Sequence, residues 1–436
     1  MPNEWTEKIV DEFRRLVERF LSEAHAWVQR GSPGGLEGWE EAVRDRVQPI
    51  QRRMLEAILN MMGTGHEGSR LVCGTCGGWA RYMGNRPHRI QTVVGRLAEH
   101  RRAYYYGCTC EGGFFPQDQK LGLDREGRRP GFVRLLSLAG AASSYEKATE
   151  YLWEMGRIAT SRTTMERVTE EQGEQAQAYL RAREAQGGAG LLTEVDRPPE
   201  RLYVEMDGTC APTREGWKEV KVGCVFEQEG ERRTKAYYTA GFESVEEFLP
   251  RLKGVAQVRG LAQAREVVVL GDGAAWIWGR VPELLGRPVR EIVDWYHAKE
   301  RIYRIAALSF GETSAEGQAW ARQSEAELWE GKPEEVVQRL KRLRPKGSEA
   351  KTLVRQSIGY FADNAERMRY DRFRKEGYWI GSGVIESGCK HVIGERLKQA
   401  GMRWNREHAE KVLALRVLRA SGLWERFWEQ KRPKAA

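Results

Sequence analysis

The hydrophobic positions at the start of the chain have the period of amphipathic helices. From Trp5 to Val28, apolar residues recur at steps of three and four, which places them on one helix face. A second stretch, about Leu36 to Met62, repeats the pattern after the Gly- and Pro-containing segment 30–35. We therefore predict a helical hairpin over residues 1–62. Its apolar stripe fits core packing and also fits a dimerisation arm.

Residues 131–190 are also predicted to be helical. One apolar helix covers Phe132 to Ala141, a second runs from Tyr145 to Met155, and a third begins after Ser161, a residue that can cap it. The third helix is predicted to end near Glu184, and the glycine-rich stretch 186–190 is predicted to be a linker. The short helices and their turns give this region the outline of a helix-turn-helix.

Beyond Arg197 the pattern changes to strands separated by helices. The run Glu266 to Gly271 is rich in valine and closed by glycine, which predicts a strand buried on both faces. Ser244-Val-Glu-Glu247 is a capping box that opens a helix. In chain order we predict strands 202–206, 220–226 and 235–239, a helix to about 258, strand 266–271, helix 274–285 and strand 289–293.

This order of elements resembles that of the ribonuclease-H-like, or retroviral-integrase-like, fold. We therefore predict an α/β domain of this class over residues 200–436. The segment 296–376 has a helical period without strand patterns, so it is predicted to be an all-α insertion in that domain. Glycines in the stretch 377–390 lead into a further helix, with Glu386 in its first turns.

The charge distribution indicates a class of partner. The 436 residues include 71 Lys and Arg against 62 Asp and Glu, which gives a net charge of +9 and a pI near 9.1. Residues 77–134 hold 11 basic and 5 acidic residues, and residues 386–436 hold 12 and 6. Two such basic windows suit a polyanion such as DNA. With no secretory signal and no bilayer-length apolar run, we predict a cytoplasmic, nucleoid-associated protein with no membrane partner.

Four of the seven cysteines form two close pairs, Cys73 with Cys76 and Cys108 with Cys110. Four thiolates make the soft tetrahedral set that Zn²⁺ prefers, so residues 63–130 are predicted to be a basic, zinc-ribbon-like module with a structural zinc ion. The second pair is tighter than a usual knuckle. Two alternatives follow: His88 replaces one sulfur, or the site is degraded.

A basic module followed directly by a helix-turn-helix outline predicts DNA binding. The second helix of such a motif enters the major groove by its amino-terminal end. Arg162, Thr163 and Arg167 are therefore the candidate base-reading residues. Helical hairpins that never contact DNA share this outline, so the helices alone also fit a structural role.

Three acidic residues stand where the predicted fold would gather them. Asp207 follows the first strand, Asp272 follows the fourth, and Glu386 lies in the last helix. Ligands of open α/β sheets bind beyond the carboxyl ends of the strands. Three carboxylates repel one another unless a cation lies between them, and oxygen ligation suits two Mg²⁺ or Mn²⁺ ions acting at phosphorus. Taken singly, Asp207 and Asp272 also fit turn residues, and Glu386 fits a helix-dipole acid.

These motifs resemble the DDE transposases of bacterial insertion sequences, and most closely the ISKra group. The resemblance covers about Gly63 to Trp424 and rests on Val204–Gly208, Leu270–Trp278 and above all Gly381–Trp404. Asp294-Trp-Tyr-His297 resembles the D-x-x-H element that mutator-type and hAT-type transposases carry after the fifth strand. The chain departs from the pattern at Cys108-Thr-Cys110, where a wider pair is expected.

The resemblance implies an enzyme that binds the ends of an insertion sequence and catalyses metal-dependent strand cleavage and strand transfer. It implies catalytic roles for Asp207, Asp272, Glu386 and His297, the three acids holding the metal. The implied partners are double-stranded DNA, both element ends and target, and further copies of the chain in a homodimer or higher homo-oligomer. The alternative is a non-catalytic, sequence-specific DNA-binding protein derived from a transposase. A glycosidase with paired carboxylates would lack the nucleic-acid module.

Basic residues after Glu386 are expected to contact DNA: Lys390, Arg396 and Lys398. Lys390 follows Glu386 by four residues, a spacing that puts both on one helix face. The alternative for Lys390 is a surface ion pair with Glu386. The alternative for His297 is a hydrogen-bonded core position.

Overall fold

The computed structural model describes residues 4–31, 35–74, 76–109, 112–123, 128 and 130–431. The described residues form two compact units. The first unit extends to Thr169 and includes the segment from Arg426 onward, and the second unit is Glu170–Glu425. Within the described ranges, none of the helices combines the length and hydropathy that a bilayer-spanning helix needs.

The first unit contains two long helices, a small antiparallel sheet and a group of shorter helices. They are α1 (Glu4–Arg30), α2 (Gly35–Met61), β1 (Arg70–Val72), β2 (Trp79–Thr92), β3 (Gly95–Tyr106), β4 (Gly113–Phe114), α3 (Pro116–Leu121), α4 (Pro130–Ala142) and α5 (Tyr145–Gly156). The sheet has the order β1-β2-β3-β4. The two helices of the predicted hairpin are therefore observed.

The helix α6 (Arg162–Gly188) crosses the division between the units. Ser161 caps it as predicted, because its hydroxyl accepts a hydrogen bond from the Thr164 amide at 3.1 Å. The predicted linker at 186–190 is wrong in part, since the helix continues to Gly188. A Cβ on Gly187 would lie 2.3 Å from the carbonyl oxygen of Gly254, so the glycine allows a close helix contact instead of a break.

The second unit is built on a mixed sheet followed by helices. Its strands are β5 (Arg201–Thr213), β6 (Gly216–Glu229), β7 (Arg232–Arg233), β8 (Tyr237–Gly241), β9 (Glu266–Gly271) and β10 (Arg290–Val293). Its helices are α7 (Val245–Val258), α8 (Ala275–Leu285), α9 (Trp295–Phe310), α10 (Ala315–Trp329), α11 (Pro333–Arg342), α12 (Ser348–Asp363), α13 (Tyr370–Lys375), α14 (Gly383–Gly388), α15 (Glu395–Leu397), α16 (Arg406–Ala420) and α17 (Trp424–Glu429), the last of which ends in the first unit.

The sheet order in the second unit is β10-β9-β5-β6, with β8 and the short β7 both paired to β6. The pairs β10–β9 and β9–β5 are parallel, and β5–β6 and β6–β8 are antiparallel. Strand β9 is buried along Val267–Gly271, as its valine run predicts. Helices α7 and α8 cover one face of the sheet, packing Phe248, Leu252 and Ile277 against strand residues. The predicted capping box at Ser244 and Glu247 is confirmed.

Strand β5 is longer than predicted and does not end at Asp207. Its antiparallel pairing with β6 continues to Thr213, opposite Gly216, whereas its parallel pairing with β9 stops at Glu205, opposite Leu270. Asp207 therefore lies inside a strand but just beyond the last residue that its parallel neighbour covers. For this reason Asp207 lies near the carboxyl end of β9, as the sequence predicts.

The segment after β10 is helical among the described residues, as predicted, and includes a 3₁₀ turn at Ala365–Met368. The helix that carries Glu386 is not a simple α-helix. Six residues, Cys389–Gly394, form a π-helical turn between α14 and α15. Single wide turns of this kind occur often at functional sites.

Candidate functional site

Asp207 lies half-buried on β5, facing the carboxyl edge of the parallel part of the sheet. One carboxylate oxygen accepts a hydrogen bond from the Gly208 amide at 2.7 Å. The other accepts one from the Cys389 thiol at 3.3 Å. Burial raises the pKa of that thiol, so Cys389 stays protonated and acts as a donor.

Asp272 follows β9 directly, in the turn that leads to α8. Its Oδ1 accepts a hydrogen bond from the Ala274 amide at 2.9 Å, which leaves Oδ2 for other partners. The Tyr360 hydroxyl donates to the Asp272 carbonyl at 3.0 Å. Gly273 has φ 91°, and a Cβ there would lie 2.5 Å from the Tyr360 ring, so both the backbone and the space require glycine.

Asp294 connects three segments at this edge of the sheet. It is fully buried and caps α9, accepting hydrogen bonds from the amides of Tyr296 at 3.3 Å and His297 at 3.0 Å. It also accepts one from the Ser382 amide at 2.9 Å, and its own amide donates to Gly271 at 2.8 Å. Burial opposes its ionisation, but the hydrogen bonds from His297 and Ser382 outweigh this and lower the pKa of Asp294.

His297 stands on the first turn of α9 with its Nδ1 2.6 Å from Asp294 Oδ2. This hydrogen bond is the main cause that raises the pKa of His297 to about 9, and the charges of Asp272 and Asp207 raise it further. The ring is therefore an imidazolium at neutral pH. Its side chain is 35% exposed, so it remains accessible to a ligand.

Glu386 lies exposed on α14, and its Oε1 accepts a hydrogen bond from the Ser382 hydroxyl at 2.9 Å. Its carboxylate, His297 and Asp294 have ligand atoms within 4.8 Å of one another. The ligand atoms of the predicted set, Asp207, Asp272 and Glu386, do not all lie within that distance of one another in the described part of the chain. Carboxylates repel one another unless a cation lies between them, and the His297 imidazolium supplies a positive charge beside Glu386.

The three basic residues after Glu386 have different surroundings. Lys390 is exposed, and no ion pair joins it to Glu386 in the described part of the chain. Lys398 is also exposed and donates to the Thr209 hydroxyl at 2.5 Å, two residues along β5 from Asp207. Arg396 is only 1% exposed, with its guanidinium 4.7 Å from the Trp404 ring centroid. The predicted contact of Arg396 with DNA is therefore wrong for this structure, because its charge is inside the fold.

Glu205 is a buried carboxyl that the sequence interpretation missed. Its Oε2 accepts hydrogen bonds from the Ile385 amide at 2.9 Å and from the Cys224 thiol at 3.9 Å. Burial raises the pKa of Glu205 to about 8. The residue ties β5 to α14, the helix that carries Glu386. A single acid inside the apolar run of a buried strand was the available signal.

The first unit brings three of the predicted zinc ligands together. The sulfurs of Cys73, Cys76 and Cys108 lie within 4.8 Å of one another. Cys110, the fourth predicted ligand, lies outside the described residues. His88 is not in the cluster, because it lies far along β2, opposite His100 on β3. Three thiols beside a turn at Gly77, which has φ 69°, fit a zinc knuckle, and His88 is excluded as a replacement ligand in this structure.

The predicted base-reading residues lie at the start of α6. Arg162, Thr163 and Arg167 are all exposed, on a face opposite the buried Met165 and Val168. The amino-terminal end of α6 therefore presents these three residues to solvent.

Comparison with known proteins identifies the family. The profile of an uncharacterised protein family, UPF0236, matches residues 35–432. The chain belongs to the UPF0236 family. A curated relative, the "UPF0236 protein in vanSb 3'region" of Streptococcus gallolyticus, is 25% identical over 339 residues, which cover 74% of this chain and 71% of the relative.

Among solved structures, a crystal structure of NurA bound to dAMP and manganese aligns with this UPF0236 chain at 11% identity. The alignment covers 61% of this chain and 63% of that one, with a TM-score of 0.11. A score of this size does not indicate a shared fold.

Proposed function

We propose that this UPF0236 protein is a DDE-type transposase similar to the ISKra group, which cuts the ends of a DNA insertion sequence and joins them to a target. The observation that carries the proposal is made at the carboxyl edge of the sheet. Asp207 and Asp272 lie there just beyond the paired parts of the adjacent parallel strands β5 and β9, and the ligand atoms of Glu386, His297 and Asp294 lie within 4.8 Å of one another. Ligands of α/β sheets bind at this edge.

The sheet supports a ribonuclease-H-like catalytic domain. In order of appearance its five main strands lie as fifth, fourth, first, second and third, with the second antiparallel to both neighbours. Asp207 and Asp272 then come from the adjacent parallel strands β5 and β9. Glu386 reaches the same edge from α14, which Glu205 and Asp294 hold in place through the amides of Ile385 and Ser382.

The donor set suits an oxygen-loving divalent cation. Asp207 and Asp272, with Glu386, would hold Mg²⁺ or Mn²⁺, which would activate the attacking oxygen and stabilise the leaving one. The His297 imidazolium can donate a hydrogen bond to a phosphoryl oxygen as negative charge develops. Asp294 fixes the orientation of that ring through Nδ1 and leaves Nε2 for the substrate.

The first unit is proposed to bind DNA. The cysteine cluster would hold a structural zinc ion in a basic module, and Arg162, Thr163 and Arg167 would enter the major groove. The exposure of these last three residues supports the assignment.

In the second unit, Lys390 and Lys398 would contact the DNA backbone near the cleavage site. Both side chains are exposed.

The test is Mg²⁺-dependent nicking of duplexes that carry the sequences on either side of the gene. Asp207→Asn, Asp272→Asn and Glu386→Gln should each lower the rate by about 10³-fold or more, since each removes a charge that holds metal. Binding to the same duplex should change little. Asp196→Asn, at an exposed acid away from the site, is the matched control.

Two outcomes would overturn the catalytic assignment. Nicking that is unchanged in all three variants would remove these acids from the chemistry. Sequence-specific binding by the wild type with no cleavage in Mg²⁺ or Mn²⁺ would favour the alternative, a non-catalytic DNA-binding protein derived from a transposase.

A further inference from the structure

A cavity of about 400 Å³ lies within the first unit, and none of the three described cysteines of the cluster lines it. Three elements line it: α2, the turn between β2 and β3, and the carboxyl end of α5. Its polar and aromatic lining includes Gln48, Arg52, Gln91, Arg96, Trp153 and Arg157. The volume lies in the range of ordinary small-ligand sites.

The walls of this cavity are fixed by hydrogen bonds and by packing. Arg44 on α2 donates to the last carbonyls of α5, those of Glu154 at 2.8 Å and Met155 at 3.0 Å. Gln48 donates to the Arg157 carbonyl at 2.8 Å. On the other side, Leu59 of α2 packs with residues of β2 and β3. The opening is therefore a built feature of the first unit.

The charge on the cavity is positive and partly uncompensated. Arg52 is half-buried and has no ion pair within the described ranges, and Arg96 donates only to the Gln91 side chain at 3.4 Å. The adjacent Arg53, by contrast, pairs with Glu56 at 3.1 Å and Glu12 at 4.0 Å. Two guanidinium groups thus line the cavity without a carboxylate partner, which is the arrangement that a phosphate requires.

Trp153 supplies an aromatic surface beside these charges. It is 47% exposed, and the Arg157 guanidinium lies 5.4 Å from its ring centroid. Arg157 is held from behind by Glu41, Asp45 and Glu154. It has φ 50°, and among the described residues no other non-glycine residue has a positive φ. Glycine fits this helix-ending position at lower cost, so the contacts of the Arg157 side chain compensate for the strained backbone.

We propose that this cavity binds one unpaired nucleotide of a DNA strand, with the phosphate on Arg52 and Arg96 and the base stacked on Trp153. A base must leave the duplex stack to meet an aromatic ring face to face, so the site selects unpaired nucleotides over intact duplex. The inference rests on the proposed DNA-binding function and adds a subsite to it.

The test is fluorescence anisotropy with a labelled single-stranded oligonucleotide and with a matched duplex. Trp153→Ala should weaken single-strand binding about tenfold, and Trp153→Phe should retain most of it. Arg52→Gln and Arg96→Gln should each reduce the slope of log Kd against log salt by about 0.7, the value for one phosphate contact on a single strand. Arg53→Gln is the matched control and should leave the slope unchanged.

Melting temperatures within error of wild type establish that each variant is folded. Single-strand affinity and slope equal to wild type in the Arg52, Arg96 and Trp153 variants would overturn the proposal. Loss of binding to duplex and single strand in equal proportion would also overturn it, because it would indicate general attraction. Nicking by the Asp207 and Asp272 variants is measured separately, so the failure of the subsite and the failure of the catalytic assignment can be told apart.

Discussion

The carboxyl edge of the second unit and the cysteine cluster of the first unit hold reactive side chains by different means. At the edge, Asp294 is fully buried and accepts hydrogen bonds from three amides and an imidazole, inside a unit whose core includes sixteen clustered residues. The cysteine cluster adjoins a core group of five, two of which are the cysteines Cys73 and Cys108 themselves. The carboxyl edge is thus positioned by many hydrogen bonds within a large core, whereas the cysteine cluster lies beside a much smaller one.

Removing zinc should produce the largest difference in stability between the two units. Structural zinc contributes about 10–16 kcal/mol to small zinc modules near pH 7, far more than a five-residue core group can replace. A strong chelator, or Cys73→Ser, should therefore abolish the lower-temperature melting transition while the second unit keeps its own. Calorimetry and metal analysis of the purified chain would measure both.

Cys210→Ser is the control for that experiment. Cys210 is an exposed thiol on β5, so this variant should retain zinc and both transitions. Two results together would contradict the zinc assignment: the wild-type chain is purified without metal, and the Cys73→Ser variant melts at the same temperature as wild type.

The packing of the second unit gives a smaller effect that needs no ligand. A Cβ on Gly254 would lie 2.1 Å from the Glu184 carbonyl oxygen, so Gly254→Ala must push α6 and α7 apart. We expect a loss of about 1–3 kcal/mol in the free energy of unfolding. Gly279→Ala on α8, where a Cβ meets nothing within 4 Å, should instead gain up to about 1 kcal/mol. Urea denaturation would show both signs, and equal shifts would refute the close contact.

The smallest effect concerns His297 and depends on pH. Its pKa is raised from 6.5 to about 9, so the folded state holds the proton more tightly. The stabilisation is complete below pH 6.5 and is lost as pH rises through 9. Because the side chain is 35% exposed, solvent screens part of this stabilisation. We expect His297→Gln to lower the free energy of unfolding by about 1–2 kcal/mol at pH 6.

The difference between wild type and His297→Gln should shrink toward zero by pH 10. Urea denaturation at several pH values would measure it, with His391→Gln at an exposed histidine as control. A difference that does not vary with pH would mean that the Asp294–His297 pair is not ionic.

Local patterns in the sequence predicted what local physics decides. The Ser244 capping box and the buried strand before Asp272 depend on neighbouring residues, and both are observed. Asp294 and His297 stand out in the sequence through the resemblance of Asp294-Trp-Tyr-His297 to the D-x-x-H element, and the structure places the His297 ring beside the cap of its own helix. The sequence points to Asp207 and Asp272 because residues that follow adjacent parallel strands lie at one edge of the sheet.

Features that depend on distant partners were missed or misread. The length of β5 is set by its hairpin with β6, and the helical state of Gly187 is set by the close approach of α7. Glu205 owes its role to Ile385, 180 residues away. Arg396 looks in the sequence like one more cation in a basic stretch, but it is buried with its guanidinium 4.7 Å from the Trp404 ring centroid.

The wide turn at Cys389–Gly394 rotates the side chains that follow it around the helix axis. An α-helix advances about 100° per residue, so Lys398 would stand about 120° around the axis from Glu386 in an unbroken helix. A π turn absorbs about one extra residue and cuts that angle to about 20°. The same correction turns Arg396 about 180° from Glu386, toward the interior. One added residue thus decides which cation accompanies Asp207 and which is hidden from solvent.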